Sequence, residues 1–121
     1  MLTGNTNEPK GFAICNEFNS ANYLFIVNGS GLKVQLPYNH WIYCVMNVYT
    51  DHKDVFVNGV LAGTDTMSKP IIRSDENLCI GNLGSGHYYV GAIAEVAINN
   101  KIMSPEEIQE TFRQIITGLK K

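Results

Sequence analysis

Five consecutive segments decide the fold of this chain: HWIYCVMNVYT (40–50), DVFVNGVLAG (54–63), NLCIGN (77–82), YYVGAIAEVAI (88–98) and SPEEIQETFRQII (104–116). The first four are rich in β-branched and aromatic residues and are separated by turn residues, which is typical of β-strands. The last has apolar residues at helical spacing. Few architectures accommodate a series of strands closed by one helix, so the order predicts an all-β protein, an antiparallel β-sandwich with one C-terminal amphipathic helix.

Two local signals within this stretch are strong. Asn58 and Gly59 lie between two apolar runs, and an Asn-Gly pair supplies the two positive-φ residues of a type I′ hairpin turn. Ser104, Pro105 and Glu107 predict the start of the helix, because a Ser-x-x-Glu capping box satisfies backbone N–H groups and proline is tolerated at the first helical position. The apolar face of this helix is predicted to contain Ile108, Phe112, Ile115 and Leu119.

Apolar runs along the whole chain predict the individual strands. These strands are expected at 11–18, 21–28, 32–37, 40–50, 55–57, 60–63, 71–72, 78–80 and 88–98. Segment 40–50 is apolar on both faces, so we expect it at the centre of a sheet covered on both sides, with Trp41 in the core. A turn is predicted at 51–54. Gly91, inside the last strand, marks a bulge or a close backbone approach.

Length and composition indicate one globular domain over 1–121, with an irregular arm at 1–10 and the helix at 104–119. Net charge is −2 and the nine Lys and Arg residues form no cluster beyond the terminal pair, which argues against nucleic-acid binding. No apolar run approaches the ~18–20 residues of a membrane helix, so membrane insertion is not expected. The first residues lack the pattern of a signal peptide, which fits either a cytoplasmic chain or a piece of a longer secreted protein.

Cys15, Cys44 and Cys79 lie in apolar strand-like segments, without a CxxC motif or a Cys/His cluster. This spacing argues against a structural zinc site. Because free cysteine behaves as a small buried hydrophobe, we expect three buried thiols rather than one disulfide and one free thiol.

The segment from Trp41 to Gln109 resembles the concanavalin A-like jelly rolls, most closely the laminin G-like and pentraxin-like domains. The resemblance rests on the order of five motifs, which are Trp41, VFVNG (55–59), LCIG (78–81), GAIAEVAI (91–98) and SPEEI (104–108). It implies a jelly-roll β-sandwich of the concanavalin A-like lectin/glucanase superfamily.

Two departures from the family pattern have consequences. The N-terminal strands usual in the family are missing, so the chain is a compact or an N-terminally truncated form. Its unpaired sheet edge is expected to allow a homodimer. Ala94 stands where the family often has Asp, which weakens any transfer of a calcium-dependent role. Acceptor groups at 51–54 and 75–77 do not match a calcium-loop spacing, so no cofactor is expected, with calcium as the alternative.

Catalytic carboxylates of the glucanase relatives form the motif E-x-D-x-x-E on one strand, and this motif does not occur in the sequence. Glu95 is a carboxylate within a predicted strand, and its apolar neighbours favour a surface or edge position over a place in a catalytic pair. His40, His52 and His87 lie at strand or turn ends without a nucleophile motif such as G-x-S-x-G. The sequence therefore predicts a protein without catalytic activity.

Aromatic and polar residues near strand ends predict a ligand-binding site, because sugars stack on exposed rings while Asn, Asp and His bind their hydroxyl groups. The predicted ligand-binding residues are His87, Tyr88 and Tyr89, with Asn82 from the glycine-rich loop 81–86, and, at a second strand end, Tyr49 with Asp51 and His52. The alternative is that these tyrosines pack in the core. Since neighbouring strand residues point to opposite faces, one of the two adjacent tyrosines is expected to be buried.

Two functions therefore remain open. The first is a lectin-like binding module that recognises a glycan or an extracellular protein. The second is a structural or assembly module of a larger surface, adhesin or virion protein that has no small ligand. If the chain is part of a longer protein, both functions predict an extracellular or surface-associated location.

Overall fold

The computed structural model describes residues 10–17, 20–81 and 89–119, without the side chain of residue 119. The chain forms two compact units, one of Met1–Gln35 and Ile71–Asn99, the other of Leu36–Pro70 and Asn100–Lys121. The expectation of a single domain over 1–121 stays a prediction.

The first unit contains a three-stranded antiparallel sheet. Its strands, in spatial order, are β1 (Phe12–Asn16), β2 (Asn22–Val27) and β3 (Ser30–Gln35). Asn28 and Gly29 connect β2 to β3 with φ values of 52° and 78°, as a type I′ turn requires. Phe25 and Val27 are fully buried. The three strands predicted before residue 38 are therefore confirmed; β1 and β2 are shorter than predicted, and β3 begins and ends two residues earlier than predicted.

The second unit contains another three-stranded antiparallel sheet and the helix. Its elements are β4 (Cys44–Val48), β5 (His52–Val57), β6 (Val60–Thr66) and α1 (Pro105–Leu119). Asn58 and Gly59 join β5 to β6 with φ values of 51° and 83°, which confirms the predicted hairpin.

The β5–β6 hairpin changes register once along its length. Val57 faces Val60 next to the turn and Phe56 faces Leu61, but Val55 faces Gly63. The residue between Leu61 and Gly63 is thus an extra one, as in a β-bulge, and every pair farther from the turn is shifted by one position.

The N-terminus of the helix is capped as the sequence predicts. The Glu107 backbone N–H donates to Ser104 Oγ at 3.2 Å, and the Ser104 N–H donates to Glu107 Oε1 at 3.4 Å. Ile108 is fully buried, and the Phe112 ring stacks on Tyr43 with centroids 6.3 Å apart. These contacts confirm Ile108 and Phe112 on the apolar face of the helix.

Two asparagine side chains fix the surroundings of β4. The Asn58 N–H donates to the Tyr43 carbonyl at 2.8 Å, and its Oδ1 accepts the Tyr43 N–H at 2.9 Å. Buried Asn47 donates its amide to the Met103 carbonyl at 2.9 Å and accepts the Met103 N–H at 3.3 Å. The polar groups of both amides are thus satisfied, and Asn47 anchors the segment that leads into the helix.

Several sequence-based expectations about strands are wrong. Segment 40–50 forms a strand only over Cys44–Val48, which lies at the edge of its three-stranded sheet. Residues 71–72, 78–80 and the described part of 88–98 form no regular strand. The physical reason is that apolar composition alone creates no ladder without an adjacent backbone to pair with, and Val90, for example, is 95% exposed.

Several individual side chains also differ from the environments predicted for them. Trp41 is 51% exposed instead of buried, because β4 begins three residues after it. Glu95 lies outside any strand with a φ of 55°, a conformation that interrupts an extended run. All three cysteines are free, but Cys79 is exposed and only Cys15 and Cys44 are half-buried. Burial raises the pKa of the Cys44 thiol to about 11.

A buried ion pair lies on the inner face of the second sheet. Lys53 is fully buried, and its Nζ lies 2.7 Å from Asp65 Oδ2 on the neighbouring strand. The register places these two residues directly opposite one another. A buried ammonium is tolerated only when a carboxylate or other acceptors compensate for its lost hydration.

Replacement of the hairpin glycine tests the turn. Gly59→Ala is expected to lower the free energy of unfolding by about 1–2 kcal/mol, because an L-residue is strained at positive φ. The added Cβ would also lie 3.4 Å from Gln109 Cγ and 3.5 Å from Phe112 Cδ2. Urea denaturation measures the change. Gly118→Ala is the control, since it lies in the helix with no atom within 4 Å of its added Cβ, and unchanged or higher stability is expected there. Equal stability of the two variants would contradict the assigned turn.

Removal of a carboxylate tests the buried ion pair. Asp65→Ala is expected to cost about 2–3 kcal/mol of unfolding free energy, because the buried Lys53 ammonium loses its opposite charge. The matched control is Glu17→Ala, which removes the exposed ion pair between Glu17 and Lys33, 2.9 Å apart. We expect no measurable shift in the thermal midpoint for this control. Similar midpoints for both variants would show that the Lys53 pair contributes no more than a surface pair.

Candidate functional site

Of the seven predicted ligand-binding residues, the structure describes four, Tyr49, Asp51, His52 and Tyr89. Asn82, His87 and Tyr88 lie outside the described residues, so their role stays a prediction. Tyr49 belongs to the second unit and Tyr89 to the first. Each lies beside another aromatic side chain, and the two pairs are described in turn.

The first aromatic pair is formed at the turn between β4 and β5. Tyr49 follows the last residue of β4, and His52 is the first residue of β5. The Tyr49 N–H donates to the His52 carbonyl at 2.8 Å and closes the turn. The two rings stack with centroids 4.2 Å apart and an angle of 11° between their planes. Both side chains are only partly buried, so aromatic surface remains accessible to a ligand.

Two carboxylates flank the His52 imidazole. Asp51 Oδ1 lies 2.6 Å from Nδ1 and Asp54 Oδ1 lies 3.9 Å from Nε2. Asp54 also accepts a 2.7 Å hydrogen bond from the Thr64 hydroxyl. The hydrogen bond with His52 lowers the pKa of the Asp51 carboxyl, so this carboxylate is ionised at neutral pH. Tyr49, Asp51, His52, Asp54 and Thr64 are hereafter called the turn cluster.

Strand alternation explains which residues of β5 join the turn cluster. His52 and Asp54 are two positions apart and therefore share one face of the strand. Lys53 points to the other face, where it pairs with Asp65. The prediction of a turn over 51–54 is wrong over 52–54, because β5 already begins at His52.

Sequence reasoning found part of the turn cluster. It grouped Tyr49, Asp51 and His52, since they are close along the chain. It missed Thr64, which lies opposite Asp54 only because of the bulge in β6. Extending the strand predicted at 55–57 upstream by three residues would place Asp54 and His52 on one face, but no sequence signal marks the bulge.

The second aromatic pair joins Tyr89 to Tyr23 of β2. The two hydroxyl oxygens are 3.0 Å apart, and the rings meet edge to face with centroids 6.5 Å apart. The Tyr89 N–H donates to the Gly81 carbonyl at 2.8 Å. A Cβ on Gly91 would lie 2.8 Å from Tyr89 Cε2, so the close neighbour of this glycine is a side chain and not the backbone that the sequence predicts. Sequence reasoning missed Tyr23, because only the fold brings it next to Tyr89.

Within 10–17, 20–81 and 89–119, no three His, Cys, Asp or Glu side chains come together in a way that could hold a metal ion. In the same ranges, no helix has the length and apolar character needed to cross a membrane.

Comparison with known proteins identifies the family. The family model Laminin_G_3, of the concanavalin A-like lectin/glucanases superfamily, matches residues 5–109. Comparison with curated protein sequences finds no match. A crystal structure of an S-layer domain-containing protein from Clostridium thermocellum is similar, with a TM-score of 0.51, 12% identity, and coverage of 93% of this chain and 67% of that chain.

The superfamily contains both lectins and glucanases, so membership alone does not decide between binding and catalysis. It does confirm the fold class expected from the sequence, an antiparallel β-sandwich with a C-terminal helix. Because the match spans most of the 121 residues, the chain belongs to the laminin G-like family of the concanavalin A-like superfamily.

Proposed function

We propose that this chain is a non-catalytic binding module that recognises a glycan through the turn cluster. The observation that carries the proposal is the parallel stack of His52 on Tyr49, with the carboxylates of Asp51 and Asp54 beside the imidazole. An aromatic surface bordered by fixed polar groups is the usual composition of a sugar-binding site.

Each part of the turn cluster has a separate task in this proposal. The ring surface of Tyr49 and His52 packs against the apolar C–H face of a sugar ring. The aspartates accept hydrogen bonds from sugar hydroxyl groups. The Thr64 hydroxyl holds the Asp54 carboxylate in place at 2.7 Å, so little conformational entropy is lost when the ligand binds.

The electrostatics of the cluster support binding rather than hydrolysis. A glycosidase needs one carboxyl group that stays protonated as the general acid, opposite a second, ionised one. The pKa of Asp51 is lowered rather than raised, which is the wrong direction for a general acid. Asp51 and Asp54 also both contact the same imidazole instead of flanking an open space for the scissile bond.

The comparisons support an extracellular or surface-associated setting for this activity. Laminin G-like domains and the similar S-layer domain-containing protein both fit such a setting. At 12% identity the structural similarity concerns the fold alone, so the ligand is inferred from the turn cluster and not from that protein.

A glycan array with matched tyrosine variants tests the proposal. Wild type is expected to bind a subset of glycans, and Tyr49→Ala to weaken that binding about tenfold through loss of the ring surface. Tyr38→Ala is the control, because Tyr38 is an exposed tyrosine outside the turn cluster. His52→Ala, checked for folding by circular dichroism, is expected to behave like Tyr49→Ala. A blank array, or full binding by Tyr49→Ala, would overturn the proposal. Loss of binding only in Tyr89→Ala would move the site to the second aromatic pair.

One observation favours a second candidate function, assembly of copies of this chain. Strand β6 is one of the two outer strands in the order β4-β5-β6, and its Val60 and Leu61 side chains are more than half exposed. An exposed apolar edge strand is a template for pairing with another chain. In this alternative, β6 pairs with β6 of a second copy and the chain acts as an assembly module.

Sedimentation equilibrium tests the assembly candidate. Wild type is expected to associate with increasing concentration, and Leu61→Lys to remain monomeric, because a charge on the edge blocks strand pairing. Val90→Lys is the control, since Val90 is even more exposed but lies outside β6. A wild-type monomer at all concentrations, or equal effects of the two lysines, would contradict pairing through β6.

A further inference from the structure

We propose that the turn cluster selects sugars that carry a free, positively charged amine over their N-acetylated or neutral counterparts. The inference rests on the proposed glycan binding and specifies its ligand class. It follows from the charge and geometry of the two aspartates around His52.

The hydrogen bonds within the turn cluster engage one oxygen of each aspartate. Asp51 Oδ1 lies 2.6 Å from His52 Nδ1, and Asp54 Oδ1 accepts the Thr64 hydroxyl at 2.7 Å. Asp54 Oδ1 also lies 3.9 Å from His52 Nε2, which is an electrostatic contact and not a hydrogen bond. In this proposal the two Oδ2 atoms accept hydrogen bonds from the incoming donor. A protonated amine supplies three N–H donors and a positive charge, whereas an acetamide supplies one N–H and no charge.

The nearby cation, Lys53, does not neutralise the aspartates of the turn cluster, because its side chain lies on the opposite face of β5. Lys53 lies between His52 and Asp54 in sequence, but its ammonium is buried on the opposite face with Asp65. The charged side chains that contact His52 are both carboxylates. An ammonium group bound there would lie beside negative charge and beside the π-surface of Tyr49, two features that each attract a cation.

The two carboxylates differ in how strongly solvent screens them. The Asp51 side chain is 82% exposed, while that of Asp54 is only 20% exposed. Screening by water and salt is weaker at Asp54, so this residue is expected to contribute more of the amine preference. Asp51 contributes chiefly by orienting His52 over Tyr49.

The experiment compares two oligosaccharides with the same backbone, glucosamine oligomers and N-acetylglucosamine oligomers of equal length. Isothermal titration in neutral buffer is expected to show about fivefold tighter binding of the free-amine oligomer, with the difference shrinking at high salt. Asp54→Asn keeps the shape of the side chain but removes its charge, and is expected to abolish the preference by weakening binding of the free-amine oligomer more than binding of the acetylated oligomer. Asp75→Asn, an exposed aspartate outside the cluster, is the control.

The outcomes separate the two proposals. A preference that disappears in Asp54→Asn and persists in Asp75→Asn supports the amine selectivity. Equal affinity of wild type for the two oligomers, or a preference unchanged in Asp54→Asn, overturns it and leaves glycan binding standing. Binding of neither oligomer, together with a blank glycan array, removes both the selectivity and the proposed function.

Discussion

The register of the β5–β6 hairpin is the constraint on which the rest of the second unit depends. Asn58 and Gly59 start the register at Val57 opposite Val60, and the bulge shifts it by one residue beyond Phe56. Without this shift, Asp54 would face Gly63 and Lys53 would face Thr64. With it, Asp54 faces Thr64 and Lys53 faces Asp65, so one inserted residue creates both the polar support of the turn cluster and the buried ion pair.

The same turn also positions the helix. Gly59 leaves space that Gln109 and Phe112 approach closely, and Asn58 ties the turn to Tyr43, whose ring stacks on Phe112. The hairpin requires the left-handed conformation at Gly59, and the helix packs against the same residue at van der Waals distance.

Features governed by a few neighbouring residues could be predicted from the sequence. The Asn58-Gly59 turn and the Ser104 capping box depend on residues at most three positions apart, and both are confirmed. Strand extents depend on which backbone lies alongside, which composition does not reveal. That is why the strand predicted over 40–50 is too long, the strand predicted over 88–98 does not form over 89–98, and the prediction of Trp41 in the core is wrong. The sequence groups Tyr49 and His52 of the turn cluster because they are three positions apart. Thr64 joins the cluster only through the shifted register of β6, which no nearby residues indicate.

Alternation along β5 finally explains why the turn cluster carries negative charge. His52, Lys53 and Asp54 are consecutive, so in the sequence a cation stands between the imidazole and the carboxylate. In the strand, Lys53 turns inward and Asp65 neutralises it there, while Asp54 turns outward to His52. A slip of β5 by one residue would exchange these faces. Lys53 would then lie on the face that carries the turn cluster, and Asp54 would be buried without a cation. The pair of buried Lys53 with Asp65 therefore opposes such a slip, because separating the two charges costs free energy. The same pair thus keeps Asp54, which lies on the opposite strand face from Lys53, on the side of His52.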